Sequence, residues 1–173
     1  MRRSVGKFFS AMMMVLAGLI FVSPVKAQAV PEDLKPPASE KLVVQVHATG
    51  DQIYTCQVSN TPATWVLKAP DAKLFTSDGK VFGKHFAGPS WEAADGSRVV
   101  GKAAANAAAP DADAVPWLLV KVVSHGGKGV LSPVTSIQRI NTQGGKAPAD
   151  GCNAAGLEVR VPYSADYLFY APK

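Results

Sequence analysis

The stretch "GKHFAGPSWEAADGS" at residues 83–97 holds His85, Trp91, Glu92, Asp95 and Ser97 within fifteen positions. Histidine titrates near neutral pH and can move a proton or bind a metal. Tryptophan offers a flat apolar face with one donor, suited to a sugar ring or an aromatic ligand. Converging on a concave edge, His85, Trp91, Glu92 and Asp95 would make a binding surface. Turn chemistry accounts for the same letters differently. Gly88-Pro89 and Asp95-Gly96-Ser97 are turn sequences whose Asp and Ser side chains satisfy nearby backbone N–H groups. Trp91 is then core, and His85 a strand residue bonded to a carbonyl.

Complete catalytic templates are harder to assemble. His85, Asp95 and Ser97 occur in a triad order, but a triad is defined by geometry, and the chain carries no G-x-S-x-G elbow. Glu92 and Asp95 are too close in sequence to straddle a glycosidic bond, where carboxylates stand about 5–9.5 Å apart across a cleft. His47, His85 and His125 are the three histidines. They show none of the H-x-H or H-E-x-x-H pairing usual among zinc ligands, so no metal site and no cofactor is expected. The aromatics Tyr163, Tyr167, Phe169 and Tyr170 are candidates to line a cavity, or to fill a core together with Trp65 and Trp117.

These residues sit in a chain that reads as exported. Arg2, Arg3 and Lys7 precede the apolar run Phe8–Val22, Pro24 breaks it, and Ala27-Gln28-Ala29 supplies small residues for cleavage. The run falls short of the roughly 20 residues a membrane-spanning helix needs. A signal peptide over 1–29 is therefore expected, with no stable membrane insertion after its removal and a periplasmic or extracellular destination. The chain has 18 basic and 13 acidic residues. Four of the basic ones lie in 1–29, which leaves 14 against 13 and a net charge of +1. The basic pI thus belongs to the signal, and no nucleic-acid partner is expected.

Residues 30–40, "VPEDLKPPASE", read as an extended leader outside the core, followed by a single domain over 41–173. Short apolar or alternating runs follow: 41–47, 51–58, 63–70, 71–86 with a turn at Asp78-Gly79, 115–125, 133–141, 156–162 and 163–172. Residues 115–125 read as a strand buried on both faces. Residues 101–114 read as a strand end and a surface loop, with room for one short helix. The predicted fold is all-β and mostly antiparallel, a β-sandwich or small β-barrel. Short strands and proline-rich loops argue against a barrel embedded in a membrane. Cys56 and Cys152 are the two cysteines, and in an oxidising compartment a disulfide between them is expected over two free thiols.

Taken together, "IYTC" (53–56), the 83–97 stretch, "VPWLLVKV" (115–122), "GVLSPVTSIQRINTQGG" (129–145), Cys152 and "VPYSADYLFY" (161–170) resemble a domain-of-unknown-function family of exported bacterial and secreted fungal proteins. The resemblance implies a secreted single domain without an established activity. Some fungal relatives carry a malate dehydrogenase label. Residues 126–129, "GGKG", lack the G-x-G-x-x-G spacing of a dinucleotide turn and join two strand-like runs, so that label finds no support here. The expected function is a non-catalytic ligand-binding or envelope-associated module with a small-molecule or saccharide ligand at His85, Trp91, Glu92 and Asp95. The rival is a hydrolase or metal-dependent enzyme using His85 with Asp95 or Glu92.

Overall fold

The computed structural model describes residues 29–59 and 62–173. The segment read as a signal peptide lies, apart from Ala29, outside the described residues. Within them a 3-10 turn (Glu32–Leu34) precedes eight strands: β1 (Glu40–Gln57), β2 (Thr64–Phe75), β3 (Val81–Phe86), β4 (Ser90–Ala93), β5 (Arg98–Ala107), β6 (Trp117–Gly126), β7 (Ser136–Gly144) and β8 (Glu158–Pro172). Each strand pairs antiparallel with the next, and β8 returns to β1, closing a barrel. The all-β expectation holds, and barrel closure decides it against the sandwich.

Several strands are longer than the sequence pattern suggests. Residues 41–47 and 51–58 merge into β1 because Gly50 continues the strand instead of turning it. Its lack of a side chain is required, since a Cβ there would lie 2.2 Å from the Asp71 carbonyl oxygen on β2. Pro70 likewise sits inside β2, where pairing to β3 begins only at Ala72, so its missing N–H leaves no ladder bond unmade on that side. Residues 101–114 form the second half of β5 and a loop, without a helix. The helical turn is instead in the leader.

That leader is part of the packed structure, unlike the expectation that it stays outside the core. Leu34 is 0% exposed and packs with Trp117, Leu119 and Ile140 on the outer face of β6 and β7. Gln138 Nε2 donates to the Leu34 carbonyl at 2.5 Å. The first half of β6 is consequently buried on both faces, as the sequence suggests. Its second half is not, and Val123 is 62% exposed.

Residues directly opposite in an antiparallel ladder project to the same face. One inward row runs Tyr163–Gly50–Ala72–His85–Trp91–Val99 across β8, β1, β2, β3, β4 and β5. A second runs Val46–Tyr167–Arg139–Leu118–Asn106 across β1, β8, β7, β6 and β5. Eight strands enclose just enough space for side chains or one small ligand, and Val46, Leu74, Ile137, Tyr167 and Phe169 occupy much of it. The loop 127–135 folds over the end where β1 begins and β8 stops, adding Leu131 and Val134 to the core.

The outer face of β8, β1 and β2 carries an ion-pair cluster. Arg160 on β8 pairs with Asp51 on β1 at 3.0 Å and Asp71 on β2 at 2.6 Å.

The hairpin of β3 and β4 is short. β2 from Thr64 to Asp71 and β5 from Lys102 to Ala107 are therefore laddered on one side only, leaving a notch in the wall. The notch lies toward the end tied by the Cys56–Cys152 disulfide, whose Cα atoms are 5.8 Å apart.

Candidate functional site

His85 and Trp91 face each other across the β3–β4 ladder, and both are buried inside the barrel. Their rings stack at 4.3 Å between centroids with planes 10° apart, and the Tyr167 ring meets both edge-on. His85 Nδ1 donates to the Ser90 carbonyl at 2.8 Å. Burial lowers the His85 pKa to about 3, and the nearby Arg139 charge adds to the shift. A neutral imidazole held this way is a poor proton acceptor near neutral pH.

Glu92 and Asp95 do not join them. Glu92 follows Trp91 on the strand and so points to the opposite face, where it pairs with Lys84 at 3.0 Å. Asp95 sits in the β4–β5 turn and accepts from the Ser97 N–H, the Ser97 hydroxyl and the Val130 N–H. These bonds hold its carboxyl below the usual range and fasten the turn to the loop that closes the barrel. The four residues proposed from sequence thus divide into an interior pair, an outer ion pair and a turn lock. The alternation of β4 forces the first separation and turn chemistry the second.

The other histidines are scattered. His47 Nδ1 lies 2.9 Å from Asp166 on the outer wall, and His125 Nε2 is 2.7 Å from the Val134 carbonyl. Among the described residues no three His, Cys, Asp or Glu side chains are grouped to hold a metal.

The interior holds unpartnered polar groups on Trp91 and, outside the 83–97 stretch, on Gln52, Tyr163 and Tyr167. Trp91 Nε1, Gln52 Nε2, Tyr163 Oη and Tyr167 Oη are buried without a hydrogen-bond partner among the described residues. The two tyrosine hydroxyls lie near each other and near the Arg139 guanidinium without closing bonds of normal geometry. Burial raises the pKa of both tyrosines, so they are protonated and able to donate. Arg139 donates to the Pro116 carbonyl at 3.1 and 2.8 Å, and it makes no ion pair among the described residues.

Tyr167 and Arg139 share an inward row with the β5 edge of the notch. Along the row Asn106–Leu118–Arg139–Tyr167, Asn106 is exposed, Leu118 and Arg139 are half-buried, and Tyr167 is 1% exposed. On the opposite flank Leu67 stands across from Tyr54 on the inward face yet remains 51% exposed. A neighbouring cavity of about 520 Å³ is lined by Tyr54, residues 108–112, Ala114, Val115, Pro116, Lys146 and Ala147. Tyr54 itself donates to the Gly145 carbonyl at 2.6 Å.

Tyr163 and Tyr167 are among the aromatics singled out from sequence, whereas Gln52 and Arg139 are not. Their signal is phase: Arg139 follows Ile137 on the inward side of β7, and Gln52 precedes Tyr54 and Cys56 on that of β1.

A disulfide-tied, eight-stranded antiparallel barrel with a donor-lined interior is the class these features define. Residues 37–171 match the family model described as "Protein of unknown function (DUF3455)", and the chain belongs to that family. No curated protein and no solved structure matches it.

Proposed function

We propose that this chain is an exported, non-catalytic barrel that binds a small molecule in its interior through the notch between β2 and β5. The observation carrying the reading is the set of unpartnered donors on Gln52, Trp91, Tyr163 and Tyr167, set behind a partly exposed row. A buried polar group without a partner costs about 1–3 kcal/mol, so four in one region form an arrangement that a ligand stabilises. Export is supported by the apolar run Phe8–Val22 and by the disulfide. The charged outer wall supports a barrel that stays out of the bilayer.

The site is then His85 and Trp91 with their interior neighbours, and Glu92 and Asp95 serve the framework. A thermal-shift screen of the purified protein against sugars, aromatics and organic acids tests this. A ligand at 100 times its Kd adds about 2.7 kcal/mol. Hits should disappear in Asn106→Trp, which fills the notch, and persist in Glu92→Gln. Hits that survive Asn106→Trp and vanish in Glu92→Gln would move the site to the outer face.

A further inference from the structure

We infer that the ligand is a small apolar carboxylate, its carboxylate directed at Arg139, Tyr163 and Tyr167 and its apolar body lying in the notch against Leu67 and Leu118. This rests on the interior-binding reading above and specifies the chemistry of that same site.

The unpartnered groups on Gln52, Trp91, Tyr163 and Tyr167 can all donate. Trp91 Nε1 and Gln52 Nε2 are donors only, and a guanidinium has five donors and no acceptor. Protonated Tyr163 and Tyr167 hydroxyls can complete the set as donors. A complementary ligand must therefore present acceptors. The surroundings also favour a negative charge. Arg139 influences His85, Tyr54, Tyr163 and Tyr167 electrostatically, yet no carboxylate pairs with it among the described residues. Its acceptor is the neutral Pro116 carbonyl. Arg139 is half-buried without a carboxylate partner among the described residues, and a planar carboxylate matches the guanidinium fork.

The walls set the rest of the ligand. Leu67 and Leu118 carry no charge and are only partly covered, although the ladder turns both inward. Apolar surface placed against them leaves water on both sides of the contact. The nearest acid in the adjoining cavity, Asp111, is turned onto the Asp113 N–H at 2.9 Å, while Lys146 donates to the Ala112 carbonyl. A multiply charged phosphate would face this apolar lining with a single guanidinium, which disfavours it relative to a monoanion.

Three probes of one shape separate the possibilities: 4-phenylbutyrate, its amide and 4-phenylbutylamine, each titrated by tryptophan fluorescence with inorganic phosphate as a fourth arm. The carboxylate should bind at least about tenfold more tightly than the amide, with the amine weaker still. That preference should fall to about unity in Arg139→Gln. Tyr167→Phe, which keeps the ring and loses the hydroxyl, should weaken the carboxylate while preserving the fold. Equal affinity for amide and carboxylate, or binding by phosphate alone, would overturn the carboxylate assignment and leave the interior site standing. Carboxylate binding unaffected by both Asn106→Trp and Tyr167→Phe would overturn the site as well.

Discussion

His85 and Trp91 stack inside the barrel with ring centroids 4.3 Å apart, and burial there keeps the imidazole uncharged. An unfolded chain takes up a proton at His85 near pH 6.5, whereas the folded chain refuses it until about pH 3. The stabilisation is complete above pH 6.5 and is lost as the pH falls toward 3, at about 1.4 kcal/mol per pH unit. Urea midpoints at pH 7 and pH 5 should therefore show a smaller drop for His85→Phe than for the parent, by about 2 kcal/mol. Parallel drops in the two proteins would mean that the folded state accepts the proton.

The leader is a structural element. Leu34→Ala removes a fully buried side chain from the cluster with Trp117, Leu119 and Ile140. The expected cost is about 2–5 kcal/mol, read from chemical denaturation. An unchanged midpoint would mean that residues 30–40 do not hold onto β6 and β7.

The disulfide spans 96 positions and joins the end of β1 to the connection before β8. In the chain-entropy model its closure is worth about 4–5 kcal/mol. The double variant Cys56→Ala, Cys152→Ala should fall short of the oxidised parent by that amount in urea. Equal stability would mean that the bridge constrains little of the unfolded ensemble.

Glu92 and Asp95 have separate framework roles. Glu92→Gln breaks a partly exposed ion pair and should change stability by no more than about 1 kcal/mol. Asp95→Asn weakens the acceptor of the Val130 N–H and should speed amide exchange across 127–135. Neither should alter ligand affinity. A loss of binding in Glu92→Gln with an intact fold would restore the outer surface as the site.

Much of the fold is readable from sequence because alternation and turn residues are local signals. "GLEVRVP" alternates where β8 begins, and Asp78-Gly79 turns β2 into β3. Gly50 and Pro70 mislead because their roles depend on strands distant in sequence: β2 must approach Gly50, and β3 must stop short of Pro70. The site is less legible for the same reason. The 83–97 stretch gathers polar letters, but strand alternation sends Trp91 inward and Glu92 outward. Arg139 reaches Tyr167 only through barrel closure, which brings β7 beside β8.

The Trp91 indole N–H reports most directly on the interior. Among the three tryptophans, it is the one stacked on His85 and edge-on to Tyr167. A 1H–15N spectrum, assigned with Trp91→Phe, should show that resonance shifting on titration with 4-phenylbutyrate, and the shift should vanish in Asn106→Trp. A bound carboxylate that leaves the Trp91 resonance in place while moving amides of residues 92–97 would contradict an interior site.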